Sequence, residues 1–182
     1  MTPYRIGIAG HRHLGQGTDF VRSVLRDLLV RLKAVRRDKV VALSALAVGA
    51  DTLFAETALA FGIPLEVVVP FAAYAADFPL GAARQHFEAL LARACAVHHL
   101  PYEQHSTVAY LSAGYWIVDQ SDLLVAVWDE QPARGEGGTG QVAQYARDSN
   151  HPLVVINPVA QTVWTRGTFF CESPEGLEPT RG

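Results

Sequence analysis

Six short apolar runs, separated by longer stretches of helical spacing, constrain this chain more than any other feature. The runs are Tyr4–Ala9, Val40–Ser44, Leu65–Val69, Ala96–Leu100, Asp122–Trp128 and Pro152–Asn157. They are rich in β-branched residues and show little polar alternation, as strands covered on both faces do. Between them, Phe20, Val24, Leu28 and Leu32 recur at four-residue intervals, and Asp51–Phe61, Ala82–Ala94, Val108–Gln120 and Gly140–Asp148 read as further helices. Within Val108–Gln120, the run Trp116-Ile117-Val118 would also suit the start of a strand. Strand alternating with helix implies parallel pairing through right-handed crossovers. The expected fold is therefore α/β, a three-layer, doubly wound, mostly parallel sheet over residues 1–158. From Val159 to Gly182 the pattern fails, which predicts a tail whose aromatics (Trp164, Phe169, Phe170) pack back onto the domain or onto a second subunit, with a loose end.

Composition narrows the class. The chain has 182 residues, 49% hydrophobic and 18% charged, which excludes intrinsic disorder. Its formal net charge of −3 argues against a broad basic face for nucleic acid, so nucleic acid is expected to be an unlikely partner. Two cysteines, Cys95 and Cys171, are too few for a disulfide framework, and a cytoplasmic location follows as the plain expectation. No signal-like core follows Met1, and no run approaches the ~18 apolar residues of a membrane span, so no membrane partner is expected.

A doubly wound sheet binds ligands at the carboxyl ends of its strands, near the point where strand order reverses. Three loops there carry unusual residues. The first is Gly10-His11-Arg12, where glycine permits a sharp turn and Arg12 either clamps a phosphate or carboxylate or stands solvated. The full G-x-G-x-x-G dinucleotide pattern is absent. The second, Ser44-Ala45-Leu46-Ala47-Val48-Gly49-Ala50-Asp51, opens a helix whose first N–H groups form an anion site. Asp51 is placed to cap that helix, with ligand contact as the alternative. Glu56, one turn on, either faces solvent or points back to the pocket.

The third loop, Glu130–Gln141, is longer than a βα connection needs. It contains Arg134 and runs through Gly137-Gly138-Thr139-Gly140-Gln141 straight into a helical pattern, the arrangement that cradles phosphate on backbone N–H groups. Thr139 can cap the helix or bond a phosphate oxygen. The candidate ligand-binding residues are thus Gly10, His11, Arg12, Ser44, Gly49, Ala50, Asp51, Arg134, Gly137, Gly138, Thr139, Gly140 and Gln141. The three loops together predict a small phosphate-bearing ligand. No other cofactor and no metal is expected, since the His11/His13 pair lacks a third ligand.

Taken in order, Gly10-His11-Arg12, Ser44–Asp51, Ser121-Asp122 and Gly137–Gly140 resemble the superfamily of the "lonely guy" phosphoribohydrolases and the Smf/DNA-processing protein A. The Ser44–Asp51 segment is similar to the S-G-L-A-x-G-I-D stretch of the DNA-processing branch. The resemblance covers most of residues 4–157 and implies a Rossmann-like fold that binds nucleotide, commonly as a homodimer or higher homo-oligomer. The hydrolase branch further requires a glutamate in P-G-G-x-G-T-x-x-E to support an oxocarbenium-like transition state. Here either register puts Gln144 or Val142 at that position, so the hydrolase mechanism does not carry over. Sensing or carrying a nucleotide is the expected role. A divergent hydrolase, with Asp119, Asp129, Glu130 or Glu136 supplying the acid from a different site, is the alternative, and no catalytic residue is assigned. Tyr110, Tyr115 and Trp116 are candidates to stack on a base or to pack the core, and Phe71 and Tyr74 to line the base end.

Overall fold

The apolar runs become strands in the computed structural model, which describes residues 2–37, 39–131 and 138–168. The strands are β1 (Tyr4–Gly10), β2 (Val40–Ser44), β3 (Leu65–Val69), β4 (Ala96–His99), β5 (Leu123–Val127), β6 (Leu153–Asn157) and β7 (Thr162–Arg166). The helices are α1 (Thr18–Val35), α2 (Ala50–Ala60), α3 (Ala82–Leu91), α4 (Thr107–Gln120) and α5 (Thr139–Asp148). One sheet holds all seven strands in the order β4-β3-β2-β1-β5-β6-β7, parallel except for β7. The expected doubly wound α/β sandwich is the observed fold.

Every residue of β2, β3, β5 and β6 is buried, because helices cover both faces. On one face α1, α2 and α3 pack against Ile6, Ile8, Val67 and Val125; on the other, α4 and α5 pack against Leu43, Val68, Leu124 and Val155. In α1 the buried stripe is Val21, Leu25, Leu28, Leu29 and Leu32, the spacing of one helical face. Each such side chain contributes about 1.5–3 kcal/mol by leaving water. The segment Trp116-Ile117-Val118 is helical, held in α4 because Ile117 and Val118 point into the second cluster.

The chain moves outward from β1 to β4, then crosses back through α4 to place β5 on the other side of β1. Strand order therefore reverses between β1 and β5, and the connections leaving their carboxyl ends part to opposite faces of the sheet, opening a crevice.

Strand β7 has no counterpart in the apolar pattern. It is an edge strand, exposed at Thr162, Thr165 and Arg166, so it lacks the continuous apolar run of the inner strands. Its position follows from the turn before it: the Asn157 side-chain carbonyl accepts the N–H groups of Val159 (3.0 Å) and Ala160 (2.9 Å). Trp164 packs on the second core cluster, and its indole N–H donates to Glu130 Oε1 at 3.0 Å. Asn157→Ala is expected to cost about 1–2 kcal/mol, read in chemical unfolding, because both N–H groups lose their acceptor. An unchanged midpoint would leave the hairpin without this explanation.

Candidate functional site

A cleft of about 560 Å³ opens at the crevice between β1 and β5. Its residues come from the ends of β1 and β5, the α2 and α5 N-termini, and one side of α4. The structure brings Gly10, His11, Arg12, Asp51, Gly138, Thr139 and Gly140 together there.

The β1 end is held by backbone contacts. His11 N–H donates to Val127 O at 3.0 Å, continuing the β1–β5 ladder past the strand. Ala50 N–H then donates to His11 O at 3.1 Å, docking the α2 N-terminus against the turn. Gly10 and Gly49 permit this approach. A Cβ on Gly10 would lie 2.3 Å from Ala50 Cβ, and one on Gly49 would lie 2.4 Å from Arg12 O.

Ser44, Gly49, Ala50 and Gln141 do not line the cleft. Ser44 is fully buried, and its hydroxyl accepts the Leu46 N–H (3.0 Å) while donating to Asp51 O (3.3 Å). It shapes the second loop from within. Arg134 and Gly137 lie outside the described residues.

Asp51 does not cap α2. The N-cap is Gly49, without a side-chain bond, and Asp51 lies in the first turn with 5% of its surface exposed. Its carboxyl accepts instead from the backbone N–H groups of Ala45, Ala47 and Gly10, tying the first and second loops together. Burial pushes its pKa up to about 7, opposed by those three N–H groups and by the Arg12 charge.

His11 Nε2 lies 3.0 Å from Asp129 Oδ1 and 3.2 Å from the Asp129 backbone N. A proton on Nε2 makes the first contact a hydrogen bond; the neutral Nδ1–H tautomer makes the second one. Asp129 Oδ1 also accepts the Gln131 N–H at 3.1 Å. Trp128 closes the floor: its indole N–H donates to Gln131 O at 3.0 Å, and its ring lies against Gly140.

Opposite stands the α5 N-terminus. Gly138 is its N-cap and makes no side-chain cap bond, Gln141 N–H donates back to Gly138 O at 3.0 Å, and Gly138, Thr139 and Gly140 line the cleft.

One wall was not legible in the sequence as a unit. Tyr110 lies under Arg12, whose guanidinium carbon is 5.1 Å from the ring centroid. The Tyr110 hydroxyl donates to Asp77 Oδ2, which also lies 2.7 Å from His105 Nδ1. Burial, then donation to Asp77, pushes the Tyr110 hydroxyl up to about 12, so it stays a donor. Asp77 and His105 are 28 residues apart, and only the packing of Phe71, Tyr74 and Tyr110 joins them. Phe71 and Tyr74 are themselves buried in that aromatic cluster. Tyr115 stacks on Tyr145, and Trp116 packs against His98, so neither faces the cleft. Glu56 is turned away too, 2.9 Å from His86 Nε2. Among the described residues, no three His, Cys, Asp or Glu side chains gather as a metal ion would require. No described helix is long and apolar enough to cross a membrane.

Fold and crevice together define a doubly wound α/β protein with a cleft at its topological switch point. Solved structures place it further. DNA processing protein A from Helicobacter pylori superposes with a TM-score of 0.59 at 18% identity, over 86% of this chain and 66% of that one. DNA processing protein A from Streptococcus pneumoniae gives 0.60 at 19%, over 86% of this chain and 50% of that one. The structural-genomics target TM1055 gives 0.53 at 11%, over 82% and 72%. The chain thus spans less than two thirds of the length of either DNA processing protein. No protein-family model matches the chain, and no curated protein matches it. The likenesses concern the fold: this chain has the Rossmann-like fold of DNA processing protein A, as the sequence resemblance implied.

They also correct one expectation. The H. pylori protein is described for its single-stranded DNA binding mode. Nucleic acid therefore does not drop out on a net charge of −3. The physical reason is range: net charge sums the whole chain, whereas a strand senses charges within about 10 Å, the screening length in ordinary salt.

Proposed function

We propose that this protein binds a phosphate-bearing nucleotide, or a nucleotide-derived ligand, in the β1–β5 cleft. The observation that carries the reading is the placement of the glycine-rich α5 N-terminus in the same cleft as Arg12 and His11. Helix N–H groups and the dipole favour an anion, and an arginine supplies a bidentate partner. Tyr110 lines the same cleft and carries Arg12 on its ring, so a base would reach that ring only by displacing the guanidinium. The role is sensing or carrying.

A thermal-shift screen of mono-, di- and cyclic nucleotides and short single strands tests it. Strands belong in the screen because they present the same phosphate-and-base unit and because the fold is shared with DNA processing protein A. A ligand at a hundredfold excess over its Kd stabilises by about 2.7 kcal/mol. Gly138→Asp is expected to abolish that shift by placing a carboxylate where the phosphate sits. Arg12→Ala is expected to weaken binding about tenfold or more, with little change in the unliganded melting temperature, since Arg12 is exposed. Full binding by Gly138→Asp would sink the reading.

Hydrolysis of the ligand is the second reading, and the His11–Asp129 pair favours it. An imidazole held by a carboxylate at the cleft has the arrangement of a general base. The α5 position used by the hydrolase branch holds no acid: Val142 is buried, and Gln144 donates outward to Asp148 Oδ1 at 2.7 Å. Release of free base and sugar phosphate, lost in His11→Ala, would establish turnover; binding without release leaves the carrier role.

A further inference from the structure

A second cleft, of about 320 Å³, adjoins the first along the carboxyl edge of the sheet. It lies between the N-terminal halves of α1 and α2 and the first six residues of α3. Arg12 lines both clefts, standing at their junction. The second cleft has its own cation, Arg22, which makes no hydrogen bond or ion pair with any described residue. Its open apolar surface is Val48, which exposes 46% of its area, while Phe78 and Phe87, stacked on each other and buried, back the interior of the cleft. Glu56 lies on the rim, but its carboxylate is occupied by His86 at 2.9 Å.

Building on the nucleotide reading of the first cleft, we infer that the ligand is two nucleotide units joined by phosphate. The linking phosphate rests on Arg12, and the second unit occupies the Arg22 cleft. The chemistry is complementary in order along the edge. The α5 N-terminus takes the first phosphate, Arg12 meets the linking phosphate, and an apolar surface beside Arg22 receives a second base and its phosphate. A mononucleotide leaves Arg22 and Val48 facing water. The same two-unit chemistry is offered by a free dinucleotide or by a stretch of single strand.

The experiment compares nucleoside 5′-monophosphates, the 5′-phosphorylated homodinucleotide of each base and a short single strand by isothermal titration, on wild type, Arg22→Ala and Gly138→Asp. The wild type is expected to bind its best dinucleotide at least about tenfold tighter than the matching monophosphate. Arg22→Ala should remove most of that gain and leave monophosphate affinity unchanged. Arg22 is an exposed helix residue, so circular dichroism should show the variant folded as wild type. Gly138→Asp should weaken all the probes together. A free dinucleotide binding as tightly as the strand assigns the site to a soluble ligand; a strand binding tighter, with the same Arg22 dependence, assigns it to nucleic acid. Either result supports the two-unit site. A dinucleotide no tighter than its monophosphate, or one indifferent to Arg22→Ala, overturns it while the first cleft stands. If no probe binds at all, the nucleotide reading falls, and this inference falls with it.

Discussion

Gly49→Ala is expected to cost about 3–5 kcal/mol of stability, a large part of the 5–15 kcal/mol that holds a typical domain together. Two effects add. Gly49 has φ +98°, where an L side chain is strained, and its Cβ would lie 2.4 Å from Arg12 O and 2.5 Å from His11 O. Those are backbone atoms, so relief requires moving the Gly10–Arg12 turn and breaking the Ala50 N–H bond to His11 O. Ligand affinity should fall as well, because that turn carries Arg12. Gly81→Ala is the control. Gly81 has φ +101° but nothing within 4 Å of its Cβ position, so only the strain applies, about 1–2 kcal/mol. Urea unfolding of both variants separates the terms. Equal losses would mean that the close approach of the two loops contributes nothing.

Asp51→Ala is expected to be comparably severe, about 4 kcal/mol, because it strands the buried N–H groups of Gly10, Ala45 and Ala47. The acid also predicts the sign of a pH dependence. Burial raises its folded pKa to about 7, above the ordinary value of 3.8. The folded state then holds a proton that the unfolded chain has released. The associated stability is fully present below about pH 4 and is lost as pH rises through about 7. Within that window the slope attributable to Asp51 approaches 1.4 kcal/mol per pH unit. Asp51→Asn should flatten it, at the cost of a weaker set of accepted bonds. Urea midpoints across pH 4–8 provide the measurement, and an unaltered slope in Asp51→Asn would assign the pH dependence to another group.

Asp51 also shows why parts of the site were legible and others were not. Its nearness to Ser44 and Gly49 in sequence marks the second loop as special, but its partner Gly10 lies on a different strand, so the bond between loops exists only after β1 and β2 pair. Gly10, Arg12 and Gly138–Gly140 were readable because each sits at a strand end or helix start, where glycine and arginine have local signatures. The Arg12–Tyr110–Asp77–His105 wall was not, since its members come from three separate segments, after β1, before α3 and at the start of α4, and none has a local signal for the others.

The sequence by itself determined the layered α/β architecture, through six apolar runs dense enough to demand cover on both faces, and marked the strand ends at which the cleft opens. It also determined that Val142 or Gln144, not a glutamate, stands where the hydrolase branch places its acid. Tertiary structure alone decided that β7 completes the sheet edge, that Asp51 joins two loops instead of capping a helix, and that Arg12 stands between two clefts. The reason is common to all three. Hydrophobic periodicity acts between residues a few positions apart, whereas an edge strand, a buried carboxyl and a bridging cation are fixed by groups that meet only when distant strands have paired.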